Sequence, residues 1–239
     1  MTTSSPRSSL TAAALLAAAV LVSFAASLAR ATGNLWYDKF VTYEAASGNA
    51  YYTSTDASLL GWQEGYMLRS YVVLYELTKN TAWLDKFTTH VDTIIANAAD
   101  SDGDGYLDWK TDTQVAGQFY SYLHFDGLIS LPLAQFVRLV SQNPTTLSAY
   151  ATKASNYQVH IEAEVIPKWT DSSSTMGNCW VQVSSSTGYF RESTKYDSLP
   201  SGTFNPLPYN MMAPYAQMLF VTGTAWFDNV KIKQSGDAW

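Results

Sequence analysis

Residues 59–77, LLGWQEGYMLRSYVVLYEL, are apolar or aromatic around most of a helical circumference. A helix with this pattern must be buried on most sides. The next segment, residues 82–98, instead keeps its apolar residues on one stripe at steps of three and four, namely Leu84, Phe87, Val91, Ile94, Ile95 and Ala98. Such a stripe is typical of an amphipathic helix with a solvated face. The contrast predicts an inner helix followed by an outer helix.

The same pair of helices is repeated further along the chain. Residues 125–140 are again mostly apolar, residues 145–165 carry a second stripe, and residues 209–220 form a third apolar segment without an outer partner. Alternating inner and outer helices are expected in a two-layer ring of helical hairpins. The alternation VKIK at 230–233 instead predicts a short strand. We therefore expect a mainly α protein: a partial (α/α) toroid of about two and a half helical hairpins with a short C-terminal β segment.

The two ends of the chain differ from its centre. Residues 1–31 combine a basic start, an apolar run over 10–28 and the small-residue exit Ala29-Arg30-Ala31, which is typical of a secretory signal peptide. An N-terminal membrane anchor is the alternative. We expect a signal peptide at 1–31, an incomplete toroid-like domain at 32–221 and a β-strand tail at 222–239. A cleaved leader makes the protein secreted, without stable membrane insertion.

Three features inside the domain interrupt the helical pattern. Residues 32–58 contain turn residues and no sustained period, so we expect an ordered lead-in rather than a helix. Residues 167–208 are rich in Ser, Thr and Gly, and a loop of this length is usually functional. Pro132 lies inside an apolar segment, so that helix either begins there or is kinked.

The composition restricts the class of partner. The formal net charge of −6 argues against nucleic acid, which needs a basic surface. Charged residues make up only 14% of the chain, while 16 Tyr, 10 Phe and 8 Trp offer rings that stack on sugars. Most of these rings are expected to fill the core. The single cysteine, Cys179, rules out an internal disulfide, and burial is the expected state of its thiol.

An acidic turn, DSDGDGYLD at 100–108, resembles a calcium loop. Its side-chain ligands would be Asp100, Asp102, Asp104 and Asp108, and Tyr106 would contribute a backbone carbonyl. Position 12 holds Thr111 where a bidentate Glu is expected. The sequence predicts a structural Ca²⁺ site, and an acidic turn that merely closes the hairpin is the alternative.

A carboxylate stands in the apolar sequence Gly61-Trp62-Gln63-Glu64-Gly65. Burial of Glu64 would raise its pKa, as a general acid requires, while Trp62 could stack on a sugar. A salt bridge with Arg69 or a capping role is the alternative.

A histidine lies between aromatic residues in Tyr120-Ser121-Tyr122-Leu123-His124. We expect His124 to act as a proton acceptor at the start of an inner helix, with Tyr120 and Tyr122 binding substrate. A structural, hydrogen-bonded histidine is the alternative. The other histidines, His90 and His160, are predicted on the solvated faces of outer helices.

The last candidate residues lie in and after the long loop. Arg191 could clamp a substrate carboxylate, and Tyr209 and Asn210 open the last inner helix. The ring-bearing residues Trp180 and Tyr189 are candidates for substrate binding. A surface arginine and a helix-start asparagine are the alternative.

Together, the segments WQEGYMLRSYVVLYELTKNTAWLDKF, DSDGDGYLDW, HFDGLISLPLAQFVRLV and LPYNMMAPYAQMLF resemble the α/α-toroid carbohydrate-active proteins, the six-hairpin glycosidase-like superfamily. The superfamily includes polysaccharide lyases, glycoside hydrolases and the helical domain of glucuronyl epimerases. The resemblance implies a groove lined by the starts of inner helices, and Glu64, His124, Tyr209 and Asn210 match such positions.

The resemblance also implies a reaction on polysaccharide. We expect uronate lyase chemistry rather than hydrolysis, which needs two carboxylates, here Glu64 and Asp126. The alternative is a non-catalytic glycan-binding or structural fragment. The tail GTAWFDNVKIKQ resembles the last strand of a β-sandwich carbohydrate-binding module, and a full ring has more hairpins than this chain. We therefore expect further domains of a longer protein as partners.

Overall fold

The structure is a computed structural model that describes residues 35–47, 51–100, 103–113, 116–117, 119–175, 179–184, 188–190 and 209–222. The chain divides into two units, Met1–Asn49 and Ala50–Trp239. The predicted signal peptide and residues 223–239 of the predicted β tail lie outside the described residues. Mainly α structure is confirmed for the described part of the chain.

The first unit contributes helix α1, Leu35–Ser47. The expectation of a non-helical lead-in was wrong here, because hydrophobic periodicity reports burial on one side rather than helix formation. Between its ends α1 carries good helix formers such as Ala45 and Ala46, and the Thr42 hydroxyl donates to the carbonyl of Asp38 at 2.8 Å.

Helix α2 opens the second unit and has three consecutive parts: Ala57–Leu59, a π-helical turn at Leu60–Glu64 and Gly65–Thr78. Asp56 caps its start by accepting from the backbone N–H groups of Ser58 and Leu59. Tyr51–Thr53 forms a short 3₁₀ turn ahead of it. The predicted helix is confirmed, but its predicted burial on most sides was wrong, because one face carries Trp62, Tyr66, Val73 and Leu77 at 43–70% exposure.

Helix α3, Ala82–Ala96, packs on α2 and completes the first hairpin. Asn80 caps it, since its side-chain oxygen accepts from the N–H of Ala82 at 3.1 Å. The predicted stripe is buried, with Leu84, Phe87, Val91 and Ile94 all at 0% exposure. The loop that follows makes isolated bridges, Ala99 with Asp108 and Thr111 with Tyr120.

Helix α4, Leu123–Gln142, runs through Pro132 without ending. Proline cannot donate a hydrogen bond to the carbonyl four residues earlier, which belongs to Leu128. Gly65 of α2 approaches that same oxygen so closely that a Cβ at Gly65 would lie 2.7 Å from it. The proline therefore sits where the two helices are in close contact.

Helix α5 follows a 3₁₀ turn at Ser148–Tyr150 and consists of Ala151–His160, a π-helical turn at Ile161–Val165 and Ile166–Thr170. The predicted end at 165 was too early. The π turn starts a new helical segment, so Pro167 falls in a first turn, where its missing N–H costs nothing.

The segment predicted as one long loop contains an antiparallel hairpin, β1 Trp180–Gln182 and β2 Gly188–Phe190. Helix α6, Tyr209–Thr222, follows as predicted. Phe190 of β2 packs edge-on against Tyr215 of α6, with ring centroids 5.0 Å apart.

Helices α2, α4 and α6 lie side by side, with α4 in the centre, and α5 packs on α4. The outer helices α3 and α5 are joined by Tyr157, whose hydroxyl donates to Asp92 at 2.8 Å. The Phe87 ring of α3 stacks on Phe136 of α4 at 4.7 Å. Among the described helices, α4 thus contacts α2, α5 and α6, and α3 packs on α2.

Helix α4 is also long and apolar enough to cross a membrane by length and composition. Yet 78% of that apolar window is buried inside the protein. Cys179 is buried as predicted, at 1% exposure.

Candidate functional site

His124 lies in the first turn of α4, surrounded by rings. Its imidazole is tilted over Phe125 at 3.8 Å between centroids, meets Tyr122 edge-on at 5.9 Å and lies 6.2 Å from Trp62. The residue is 1% exposed. The aromatic surroundings predicted from the sequence are therefore present, but the histidine is more deeply buried than a groove residue would be.

The His124 ring is held in its neutral form. Burial lowers its pKa to about 4, because the charged imidazolium loses its hydration. Neither Nδ1 nor Nε2 has a hydrogen-bond partner in the described part of the chain. At neutral pH the ring is therefore uncharged, with one nitrogen lone pair and one N–H group.

Trp62 and Tyr66 form an exposed aromatic pair on α2. Their rings are stacked at 6.4 Å between centroids and 22° between planes, and their exposures are 43% and 49%. Trp62 was predicted to bind substrate, and it is the exposed neighbour that His124 contacts among the described rings. A flat, half-exposed pair of this kind suits a sugar face.

Glu64 is buried at 0% exposure and faces the outer layer. Its Oε1 lies 2.7 Å from Nδ1 of His90 on α3, and the His90 ring stacks on Tyr52 at 4.0 Å. The predicted partner, Arg69, is exposed instead. Glu64 therefore joins α2 to α3 through the π turn that ends at this residue.

The other two histidines were wrongly predicted on solvated faces. His90 is 7% exposed and His160 is 6% exposed. Burial lowers the pKa of His160 to about 4, and its ring meets Trp109 edge-on at 5.6 Å. The apolar stripes of α3 and α5 are wider than a count of aliphatic residues suggests, so these imidazoles belong to the core.

Asp126 is a second buried carboxyl in the first turn of α4. Its Oδ2 accepts from Trp169 Nε1 at 2.7 Å, while Oδ1 has no partner among the described residues. Burial, helped by the nearby Asp108 carboxylate, raises the pKa of Asp126 to about 8. At neutral pH the group is mostly a protonated acid.

The acidic loop is closed by its own backbone. Asp100 accepts from the N–H groups of Gly103, Asp104 and Gly105 at 2.8–3.0 Å. Asp104 accepts from Tyr106 N and, across the fold, from Thr175 N and Oγ1. These bonds order the turn with donors from the chain itself.

A buried lysine completes the acidic loop. Lys168 Nζ lies 3.0 Å from Oδ2 of Asp104 and 3.0 Å from Oδ2 of Asp108, and all three side chains are nearly inaccessible to solvent. Asp108 also accepts a short hydrogen bond from Ser121. Burial raises the pKa of Asp108, and hydrogen bonds from Thr175 and Lys168 outweigh burial at Asp104, whose pKa is lowered.

A calcium ion in this loop would need Asp104 and Asp108, the carboxylates that contact Lys168, as ligands. Within the described residues no group of three or more His, Cys, Asp or Glu side chains is placed to hold a metal ion. Asp102 lies outside those residues. Two of the predicted ligands, Asp104 and Asp108, are paired with an ammonium, which does not fit a divalent cation on the same oxygens. Calcium stays a prediction.

An open cleft of about 430 Å³ lies beside the acidic loop. Its walls include Asp56, Asn97, Asp108, Lys110 and the exposed ring of Phe119. Of the predicted catalytic residues whose side chains the structure describes, neither Glu64 nor His124 lines it.

The remaining predicted site residues are only partly placed. Tyr120 is half-buried in the bridge to Thr111, and Trp180 is half-buried in β1 against Phe190. Of Tyr189, Tyr209 and Asn210 the structure gives only the backbone, in β2 and at the start of α6. Arg191 lies outside the described residues. The predicted site is thus brought together only around Trp62, Tyr122 and His124.

The sequence reasoning missed Lys168 and Trp169. They stand in IPKWT, after a proline and in a segment predicted as loop, so nothing in the pattern indicated burial. Both are 0% exposed, and they bind Asp104, Asp108 and Asp126.

Comparison with protein-family models, with curated proteins and with solved structures found no match to this chain.

Proposed function

We propose that this chain is a secreted carbohydrate-active protein of the (α/α)-toroid class that acts on uronate polysaccharide as a lyase. The inner row of α2, α4 and α6 and the outer row of α3 and α5 support the class, because they match an arc of helical hairpins. The low charge and the exposed Trp62–Tyr66 pair support a sugar ligand.

The observation that carries the reaction is the neutral imidazole of His124 beside the half-exposed Trp62. In β-elimination a base takes the C5 proton of the uronate, the C5–H electrons form a C4=C5 double bond, and the C4–O bond breaks. The leaving oxygen then takes a proton. His124 supplies the base.

Hydrolysis is less well supported by the same contacts. It needs two carboxyl groups that flank the glycosidic bond. Glu64 is fully buried against His90, and Asp126 is bound by Trp169. Both carboxyls have a structural partner, whereas the His124 nitrogens have none in the described part of the chain.

The test is incubation with uronate polysaccharides, followed by the ultraviolet absorbance of the unsaturated product. His124→Asn should lose at least about 100-fold in rate, as general bases do. His160→Asn is the matched control, since His160 is buried to a similar degree and has an equally lowered pKa, but lies on the outer helix. We expect it to keep the activity.

A second candidate function is glycan binding without catalysis, which the Trp62–Tyr66 pair also favours. Binding without absorbance and without new reducing ends would support this candidate and refute the lyase. An active His124→Asn variant would refute the role of His124 as the base, but not the lyase reaction.

A further inference from the structure

We propose that the acidic loop at 100–108 takes its cation from within the chain: the ammonium of Lys168 occupies the place of calcium and orders the loop without metal. The inference does not depend on the proposed function, because it concerns the contacts of the loop and not the reaction.

The position of Lys168 is the first argument. Its Nζ lies 3.0 Å from the carboxylates of both Asp104 and Asp108, the residues at loop positions 5 and 9. A divalent ion on those oxygens would stand within a few ångströms of the ammonium, where repulsion in a buried site is strong. The two cations therefore compete for one place.

Burial is the second argument. Lys168 is 0% exposed, and a charged lysine is buried only when it is paired and hydrogen-bonded. Its partners also have fixed surroundings: Asp104 accepts from Thr175, and Asp108 accepts from Ser121. The ammonium is thus an internal part of the fold rather than a surface charge that happens to lie nearby.

The connections of Lys168 give it a positioning role. It lies near the end of α5 and binds the loop, and through Asp108 it reaches Ser121, just ahead of α4. The next residue, Trp169, binds Asp126 in the first turn of α4. One pair of neighbouring residues thus holds the loop against the end of α4 where His124 lies.

The first experiment is thermal unfolding of the full mature chain with calcium chloride and with EGTA. A ligand that binds only the folded state raises its melting temperature. We expect the same Tm in both solutions. A Tm that falls with EGTA or rises with calcium would overturn the proposal.

The second experiment replaces the ammonium. Lys168→Met removes the ammonium that both buried carboxylates contact, and we expect Tm to fall by about 10 °C. Lys153→Met is the matched control, since Lys153 on the same helix pairs with Asp92 while both side chains remain about 40% exposed. A surface pair contributes little, so its Tm should hardly change.

Calcium should raise the Tm of Lys168→Met, because that variant has vacated the cation position, while the wild type should not respond. An equal response of both proteins, or a Lys168→Met variant as stable as Lys153→Met, would overturn the proposal. If Lys168→Met does not fold, the double variant Asp104→Asn/Lys168→Met replaces it, because the second substitution removes one of the two carboxylate charges. The wild-type measurement with calcium and EGTA still tests the proposal in that case.

Discussion

The sequence around a single residue can predict whether its side chain is buried, but not which side chain it contacts. The apolar context of Glu64 predicted a buried carboxyl, and burial is confirmed. Its partner was predicted five residues away, at Arg69, but it is His90, 26 residues along the chain. A local pattern reports which side of a helix is buried, whereas the identity of the contact depends on how the next helix packs.

Three buried titratable residues predict how stability depends on pH. His124 and His160 have pKa values lowered to about 4 from 6.5, and Asp126 has one raised to about 8 from 3.8. Between pH 4 and 6.5 the unfolded chain binds two protons, one each on His124 and His160, whereas the folded chain binds one, on Asp126. The unfolded chain therefore binds one proton more than the folded chain in this range. Stability should rise with pH by about 1.4 kcal/mol per unit there and fall from 6.5 to 8, where only Asp126 contributes.

Denaturant unfolding across this pH range tests the balance, and we expect a maximum near pH 6.5. Asp126→Asn, which resembles the protonated acid, should remove the fall above pH 6.5. His160→Asn should instead flatten the rise below it. The assignment is wrong if the wild type becomes steadily more stable up to pH 8, or if Asp126→Asn keeps the wild-type profile.

Two pairs of helices in this fold are in close contact at glycines, and the hydrophobic pattern of the sequence does not indicate which glycines these are. Gly127 of α4 touches α6 so closely that an added Cβ would lie 2.5 Å from the backbone nitrogen of Tyr215. Gly61 of α2 also faces α4, but its Cβ would meet a side-chain carbon of Phe125 at 2.9 Å. The backbone of Tyr215 cannot shift as easily as the ring of Phe125. Substitution of alanine should therefore destabilise the protein more at Gly127 than at Gly61.

We predict that Gly127→Ala destabilises the protein by about 3 kcal/mol, at the upper end of the cost of overpacking. Gly61→Ala should cost about 1 kcal/mol, because the Phe125 ring can shift. Urea unfolding at constant pH measures both variants. Equal losses would mean that α6 does not lie against α4 at Gly127 as the structure has it.

Two helices also contain π turns that no pattern indicated. The turn at Leu60–Glu64 ends at the carboxyl that binds His90, and the turn at Ile161–Val165 follows directly after His160. Each turn shifts the phase of its helix, so residues beyond it face a direction that a 3.6-residue count does not give.

At the scale of the whole molecule, the reaction rate of the single cysteine thiol measures how often the second unit opens. Cys179 lies between α5 and β1, and its N–H donates to the carbonyl of Trp169 at 2.9 Å. We predict that its buried thiol reacts with a thiol reagent at least about 100-fold more slowly in the native protein than in urea. Rapid reaction of the native protein would show that this junction opens without global unfolding.

The sequence by itself determined the mainly α structure, the aromatic neighbourhood that Tyr122 gives His124, and the burial of Glu64 and Cys179. These follow from local hydrophobic periodicity and from short spacings, which act within a few residues. It did not determine α1, which lacks a one-sided stripe, or the β1–β2 hairpin, which has weak and short strands.

Only the tertiary structure decided which charges meet. His90 joins Glu64, Trp169 joins Asp126, and Lys168 joins Asp104 and Asp108, each across 26 or more residues. The free energy of a buried charge depends on its partner and on its solvation, and both are created by packing. A run of acidic residues alone therefore predicts a calcium loop, whereas the fold places a lysine ammonium between its carboxylates.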